Sequence, residues 1–215
     1  MKKFRLCLLA VFAISFILLP MVAFADTMNV TLTGVEGANN GRYYIAPYYL
    51  SINGAASVDA FCVDFTHESN IGNSWTANVS PVSGSSFGNT YQGNQTAYLE
   101  MGYLASIYNL TANAGKQVYI QQAIWDISVG NGTLPYPDGS TNEWYIEARD
   151  PSNYNTWDTS GWVILTDTKG VHYGTQEFLT QGPVATPEPG TIILLGSGIL
   201  GVYGFSRKKR TQLKT

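Results

Sequence analysis

Two apolar runs, one near each end of the 215-residue chain, restrict the region that can fold as a globular domain. The first run, residues 6–19, follows three basic residues and precedes Ala23-Phe24-Ala25. A charged start, an apolar run and a small-x-small cleavage site are the parts of a secretory signal peptide. We therefore predict that residues 1–25 are removed on export. An uncleaved membrane anchor is the alternative, which Pro20 and the Ala-x-Ala ending disfavour.

The second apolar run, residues 191–206, follows Pro187-Glu188-Pro189 and ends at a basic cluster. As a helix its sixteen residues span roughly 24 Å at about 1.5 Å per residue, a little short of a bilayer core but workable with local thinning. Basic residues beside a membrane helix stop transfer and stay cytoplasmic. We therefore predict a transmembrane helix at 191–206, a cytoplasmic tail at 207–215 and a middle region outside the membrane. The stop-transfer cluster consists of Arg207, Lys208, Lys209 and Arg210.

The middle region, residues 26–182, contains fourteen Asp and Glu against four Lys and Arg. Nucleic-acid binding requires clustered basic residues, so this balance argues against a nucleic-acid partner. The abundance of Tyr (14), Trp (5) and Gly (22) is typical of an extracellular β-rich domain with polar turns. About 155 residues are enough for one domain with a substantial core. We interpret residues 183–190 as a linker to the second apolar run.

Alternation of apolar and polar residues predicts strands in both halves of the middle region, with helices between them. Apolar residues at three- and four-residue steps after Asn94 predict a first helix, and residues 116–129 predict a second that Gly130 ends. A short helix is expected at 143–149. The predicted fold class is therefore mostly β with a helical insertion (α+β). The predicted strands are 28–34, 43–45, 48–52, 58–65, 75–82, 162–166 and 171–179.

Cys62 is the one cysteine outside the predicted signal peptide, because the other, Cys7, would leave with the signal. Cysteines outside the cytoplasm usually pair as disulfides, and an unpaired thiol there is open to oxidation or cross-linking. Three interpretations stay open. The thiol is tolerated because it is buried, or it links to another chain, or its sulfur is bonded to something other than sulfur.

A glutamine is a candidate partner in the third case. A thiol attacks a glutamine side-chain amide, expels ammonia and leaves a thioester if the two groups are held in contact and kept dry. Cys62 lies on a predicted strand and Gln121 on the second predicted helix, beside bulky residues that would exclude water. The stored acyl group would then react with an amine such as a lysine of a partner. The residues expected around the bond are Phe61, Tyr119, Ala123, Ile124 and Trp125.

The C-terminal segment resembles a known sorting signal. Thr186-Pro187-Glu188-Pro189-Gly190, the apolar run and the basic cluster occur in the order found in the PEP-CTERM signal of Gram-negative bacteria. The resemblance implies a sorting transpeptidase as partner: exosortase would cut near the Pro-Glu-Pro and transfer the protein to an envelope or extracellular acceptor. The apolar helix would then be a removable sorting signal rather than a permanent membrane anchor. A permanent single-pass anchor is the alternative.

Phe61-Cys62 together with Gln121-Gln122-Ala123-Ile124-Trp125 resembles the paired motifs of thioester domains on Gram-positive surface adhesins. The resemblance extends over residues 28–180. It implies a β-sandwich joined to a small helical subdomain, with the bond between Cys62 and Gln121 joining the two parts. The order of predicted elements, strands followed by helices and then strands, agrees with that architecture.

Other candidate sites rest on fewer residues. A thiol–histidine catalytic pair would join Cys62 to His67 or His172. A metal site would consist of Cys62, Asp64 and His67. Residues 138–143 have the polar spacing of a calcium loop without its later bidentate Glu, and we interpret them as a turn. Aromatic side chains could line a sugar-binding face, although at these counts Tyr and Trp are more typical of core and rim.

The resulting hypothesis is an exported protein of the cell envelope or extracellular surface, at least transiently held in the inner membrane. It would capture an amine-bearing surface molecule through a Cys62–Gln121 thioester. One covalent capture without turnover is not enzymatic, and the hypothesis requires no metal or cofactor. The alternative is a structural or carbohydrate-associated protein of the extracellular polysaccharide matrix, in which Cys62 is inert.

Overall fold

Six strands and four helices form the part of the chain that the computed structural model describes, residues 27–36, 43–108, 110–111, 113–130 and 142–182. All of these residues belong to one unit, Ala25–Pro183. The strands are β1 (Thr27–Val35), β2 (Tyr48–Ile52), β3 (Val58–Cys62), β4 (Ser74–Pro81), β5 (Trp162–Asp167) and β6 (Phe178–Gln181). The helices are α1 (Gln95–Tyr108), α2 (Ala114–Val129), α3 (Glu143–Ala148) and α4 (Pro151–Tyr154). All four helices lie between β4 and β5, so the predicted helical insertion in a β-rich chain is confirmed.

The six strands close into an antiparallel barrel in the order β1-β2-β3-β6-β5-β4. Strand β1 pairs with both β2 and β4, and β6 pairs with both β3 and β5, so the ring has no free edge. The predicted β-sandwich is therefore wrong, because a sandwich consists of two separate sheets whose edge strands are unpaired. Closure depends on pairing between strands that are distant in sequence, and hydrophobic alternation within one strand does not report such pairing.

Strand β1 illustrates why these segments line a barrel. Val30 and Leu32 are buried, whereas Asn29 and Thr33 on the other face are exposed. Side chains along a strand point alternately to its two faces, so a period of two in hydrophobicity directs one set into the core. The prediction of a half-buried strand at 28–34 is confirmed by this pattern.

The chain ahead of β2 is irregular, so the predicted strand at 43–45 is wrong apart from an isolated bridge at Tyr44. Pro47 has no N–H to donate to a sheet and ends regular pairing on that side. Strand β3 is shorter than predicted, because it ends at Cys62 and the chain turns away over residues 63–66. Irregular backbone therefore lies on two sides of the end of β3.

The chain ahead of β6 is also irregular, so the part of the predicted strand 171–179 that precedes Phe178 is wrong. The Asp167 carboxylate at the end of β5 holds this segment as a loop. Its oxygens accept hydrogen bonds from the backbone N–H groups of Lys169 at 2.9 Å and Thr175 at 3.0 Å. Side-chain acceptors of this kind satisfy backbone groups that a strand would otherwise pair.

The helical hairpin predicted between the strands is confirmed, and its ends follow local chemistry. The Asn94 side chain accepts from the backbone N–H of Thr96 at 3.0 Å ahead of α1. Asn113 caps α2 by accepting from two N–H groups of the first turn, and α2 begins two residues earlier than predicted. Gly130 ends α2 with a φ of 76°, a left-handed conformation that glycine adopts readily. The short helix predicted at 143–149 is confirmed as α3.

The helical insertion packs on the barrel through aromatic side chains. Phe61 of β3 and Tyr108 of α1 meet edge to face, with ring centroids 5.3 Å apart. The Tyr108 hydroxyl also donates a hydrogen bond to the carbonyl oxygen of Ala46, in the irregular chain before β2. Helix α1 therefore fixes both a barrel strand and the segment that lies beside the end of β3.

No helix within the described ranges combines the length and apolar character needed to cross a membrane. The predicted signal peptide (1–25), linker (183–190), transmembrane helix (191–206) and basic tail (207–215) lie outside the described residues. Most of the candidate calcium loop, residues 138–141, also lies outside them. Those predictions therefore stay predictions as far as three-dimensional structure is concerned.

Candidate functional site

Cys62 and Gln121 lie next to each other, at the end of β3 and in the second turn of α2. Both are fully buried, with no solvent exposure. The Gln121 side-chain Nε2 donates to the carbonyl oxygen of Cys62 at 2.9 Å, and its Oε1 accepts from the backbone N–H of Ala46 at 3.4 Å. The carboxamide is thus held at both of its polar atoms by two backbone segments. The sequence-predicted pair is brought together from positions 59 residues apart.

The Cys62 thiol is enclosed by the protein. Its Sγ donates to the carbonyl oxygen of Asp64 at 3.0 Å. Burial raises the pKa of the thiol from 9.0 to about 12, because a thiolate would lose its hydration there. The free protein therefore carries a neutral thiol near neutral pH, shielded from the oxidation to which an exposed cysteine is subject.

Three aromatic rings, here called the aromatic trio, pack together beside this pair: Tyr43, Phe65 and Trp125. Their ring centroids lie 5.1 Å (Tyr43–Phe65), 5.9 Å (Tyr43–Trp125) and 5.2 Å (Phe65–Trp125) apart. Tyr43 and Phe65 lie close in sequence to Ala46 and Cys62, whose backbone groups bond the carboxamide. Trp125 lies on the same helix as Gln121, which bears it. Trp125 is 3% exposed and Tyr43 is 40% exposed, so the trio extends from the buried pair to the surface.

The other residues expected around the pair occupy different surroundings. Ala123 and Ile124 are fully buried within α2. Tyr119 is 38% exposed, and its carbonyl oxygen accepts from Nδ2 of Asn142 at 2.7 Å, which joins α2 to the start of α3. Phe61 precedes Cys62 on β3, so their side chains point to opposite faces of the strand. The Phe61 ring contacts those of Tyr108 and Trp162. Of the predicted aromatic neighbours, Trp125 is the one whose side chain lowers the pKa of the Cys62 thiol, against the larger effect of burial.

Sequence analysis missed Tyr43, Ala46 and the backbone carbonyl of Asp64. The predicted strand at 43–45 contains Tyr43 and ends just before Ala46. Pro47, two residues beyond that strand, is the signal that this segment leaves the sheet. Backbone donors and acceptors carry no residue identity, so sequence reasoning could not have assigned those of Ala46 and Asp64.

A second polar group lies behind the turn that follows β3. His67 Nδ1 lies 2.5 Å from Oδ2 of Asp64, and His67 Nε2 lies 2.6 Å from the carbonyl oxygen of Val171. Both ring nitrogens thus lie within hydrogen-bond distance of an oxygen. Because the His67 ring is engaged with these groups, it is not positioned as the base of a thiol–histidine pair with Cys62.

The metal hypothesis for Cys62, Asp64 and His67 finds no support within the described residues, where no group of three or more His, Cys, Asp or Glu side chains could hold an ion. His172, the other histidine, is exposed, and its ring contacts that of Tyr173. The site therefore consists of a thiol, a carboxamide, backbone groups and aromatic rings.

Comparison with known proteins identifies the C-terminal segment. Residues 185–209 match the family model for the PEP-CTERM protein-sorting motif, so the resemblance drawn from Pro187-Glu188-Pro189 and the basic cluster is confirmed. The motif indicates export and localisation at the cell envelope or surface, and it implies membrane association and processing by an exosortase. No curated protein matches the chain.

Two solved structures that resemble the chain are thioester domains of surface proteins. The N-terminal thioester domain of a surface protein from Clostridium perfringens is 13% identical, with a TM-score of 0.41, over 72% of this chain and 98% of that one. The N-terminal thioester domain of the fibronectin-binding protein SfbI from Streptococcus pyogenes is also 13% identical, with a TM-score of 0.40, over 75% of this chain and 94% of that one. At this distance the similarity describes the neighbours and decides nothing about the chemistry of this chain.

Proposed function

We propose that Cys62 and Gln121 form an internal thioester, and that this surface-sorted protein uses it to capture an amine on a partner surface covalently. The observation that carries the proposal is the 2.9 Å hydrogen bond from Gln121 Nε2 to the Cys62 carbonyl oxygen between two fully buried residues. It holds a carboxamide against the residue that bears the thiol.

Formation of the bond requires one balanced exchange. The Cys62 sulfur attacks Cδ of Gln121, the C–N bond breaks, and the thiol proton leaves with the nitrogen as ammonia. Holding the reactants in contact supplies up to about 7–11 kcal/mol of such a barrier. The Ala46 N–H already donates a hydrogen bond to Gln121 Oε1. It would therefore stabilise the negative charge that develops on this oxygen during attack.

Capture of the partner reverses the roles of the groups. An unprotonated amine attacks Cδ of Gln121, the C–S bond breaks, and the sulfur is released as a thiol, with the proton coming from the amine. The product is a stable amide between Gln121 and the partner. Each molecule performs this reaction once, so we propose a capture device and not an enzyme.

The composition of the domain supports storage of a reactive acyl group. Residues 26–182 contain two lysines, Lys116 and Lys169, so few of the chain's own amines could consume the thioester. The aromatic trio packs together beside the pair, and we expect it to keep bulk water from the bond and so to slow hydrolysis. We propose that the natural partner is an amine-bearing surface molecule and that the role is adhesion or attachment to an extracellular matrix.

The intact mass of the exported domain tests the proposal. A thioester makes the protein lighter than its sequence by one ammonia, and Cys62→Ala or Gln121→Ala should abolish the deficit. Gln122→Ala is the matched control: it removes a neighbouring buried glutamine from the same helix, and the deficit should persist. Methylamine should then add to Gln121 and make Cys62 available to alkylation.

A wild-type mass equal to that of the sequence would sink the thioester. The structure also permits that outcome, because Cys62 Sγ already has a hydrogen-bond acceptor in Asp64 and is fully buried. The protein would then be a non-covalent envelope or matrix component with an inert thiol.

A further inference from the structure

The indole N–H of Trp125 is a buried donor without a hydrogen-bond acceptor of good geometry within the described residues. Trp125 is 3% exposed, so water does not readily replace such an acceptor. Leaving a buried donor unpaired is unfavourable, and native structures usually contain a reason for it.

Two constraints fix the position of the indole. Trp125 follows Gln121 by four residues on α2, so the two side chains lie on the same face of the helix. The rings of Tyr43 and Phe65 pack against the indole and fix its plane. Gln121, on that face, donates to the Cys62 carbonyl oxygen at 2.9 Å, which places Trp125 one helical turn from a residue in contact with Cys62. The Trp125 side chain also lowers the pKa of the Cys62 thiol, in opposition to the larger effect of burial.

We propose that Trp125 donates its indole N–H to the Cys62 sulfur as this sulfur is expelled during amine capture, and that it is a catalytic residue of that reaction. The inference rests on the proposed thioester. In the intact thioester the sulfur carries little charge, and the N–H has no strong acceptor. As the C–S bond breaks, the electron pair moves onto the sulfur, which becomes a strong acceptor beside a donor already in place. The amine proton then neutralises the sulfur.

The need for such a donor follows from burial. A sulfur whose thiol has a pKa of about 12 is a poor leaving group, because the anion is not solvated in its pocket. The hydrogen-bond partner of the thiol is the Asp64 carbonyl oxygen, an acceptor, which cannot stabilise negative charge. The unpaired indole N–H of Trp125 is a donor that can fill this role.

Methylamine capture by three purified proteins tests the role: wild type, Trp125→Phe and Trp75→Phe. Phenylalanine keeps an aromatic ring and removes the N–H. Trp75 is the matched control, since it too is a buried tryptophan with an unpaired Nε1, stacked on Phe178 inside the barrel. Loss of the donor should slow adduct formation by roughly tenfold or more, the effect of about one pKa unit on the leaving group. Trp75→Phe should react at the wild-type rate.

A spectroscopic measurement separates contact from packing. In nitrogen-15-labelled Gln121→Ala protein, which cannot form a thioester, the indole N–H resonance of Trp125 should move when Cys62→Ala is added. The Trp75 resonance should stay in place. A change at the Trp125 N–H with none at the Trp75 N–H would place the sulfur beside the Trp125 donor.

The outcomes are distinct. If wild type carries the ammonia deficit and Trp125→Phe captures methylamine as fast as wild type or faster, the donor role is overturned and the thioester stands. If Trp125→Phe fails to form the thioester, the resonance decides: an unmoved Trp125 signal overturns the role, and a shifted one supports it. If wild type lacks the deficit, the proposed function fails and the donor role fails with it.

Discussion

The Tyr98 hydroxyl of α1 donates a hydrogen bond to Oε2 of Glu177, 2.5 Å away, immediately ahead of β6. Thr166 Oγ1 and the backbone N–H of Tyr91 donate to Oε1 of the same carboxyl, at 2.5 and 3.0 Å. One fully buried carboxyl therefore joins the helical insertion, the barrel and the loop before α1. Burial raises the pKa of Glu177 from an ordinary 4.5 to about 7.

We predict that Glu177 makes the domain less stable as pH rises from about 4.5 to about 7. The unfolded chain loses this proton near 4.5 and the folded chain near 7, so the folded state binds more protons within that window. The contribution of Glu177 is fully present below the window and lost above it. A pKa difference of this size lowers the free energy of unfolding by on the order of 3 kcal/mol between the two ends of the window.

Urea unfolding at several pH values checks this for wild type and Glu177→Gln. The variant has no proton to lose, so its stability should change less across the window than that of wild type. Glu143→Gln, at the exposed start of α3, is the control and should keep the wild-type slope. Parallel curves for wild type and Glu177→Gln would contradict the prediction.

Replacement of Gly102 by alanine should destabilise the domain, although alanine is the better helix former. Gly102 is buried in α1, and a Cβ there would overlap the ring of Trp157. The Trp157 indole is itself held, because its Nε1 donates to the Leu99 carbonyl oxygen at 3.1 Å. Overpacking of this kind costs about 1–3 kcal/mol, measurable by chemical denaturation. Gly88→Ala, where a Cβ would meet no atom within 4 Å, should have little effect.

Removal of the outermost ring of the aromatic trio should shorten the lifetime of the proposed thioester. Tyr43 is 40% exposed and covers Phe65 and Trp125, so Tyr43→Ala opens a path for water toward the bond. Hydrolysis would appear as a gain of one water in intact mass over time, at least severalfold faster than in wild type. Tyr173→Ala removes a tyrosine that is 83% exposed in the loop before β6 and should leave the lifetime unchanged. Equal lifetimes for Tyr43→Ala and wild type would show that the trio is not a barrier.

The PEP-CTERM motif predicts a mature protein that ends near Pro187-Glu188-Pro189. In a host with a working exosortase, mass spectrometry of the surface fraction should find no peptide from residues 207–215. In the same host without exosortase, the basic tail should be retained. Surface protein that keeps Arg207 to Arg210 when exosortase is present would favour the single-pass anchor instead.

Local features of this fold were predictable because they depend on residues within a few positions of each other. Alternation around Val30 and Leu32 predicted β1, and Asn94 and Gly130 marked helix ends through capping chemistry that acts within one turn. The pairing of Cys62 with Gln121 was expected from residue types and motif resemblance. The hydrogen bond from Gln121 Nε2 to the Cys62 carbonyl oxygen brings the two residues into contact, and the bond between their side chains stays a prediction.

Other features depend on contacts between distant segments, and local patterns do not encode those. The strands had the periodicity of either a sandwich or a barrel, and the pairing of β1 with β4 and of β3 with β6 selected the barrel. Tyr43 and Ala46 reach the site because Pro47 turns their segment out of the sheet, and Glu177 is buried because Tyr98 and Thr166 satisfy it from other elements. The spacing of residues in the sequence indicates which face of a helix or strand a side chain occupies. Which group that side chain contacts depends on how distant segments pack together in the fold.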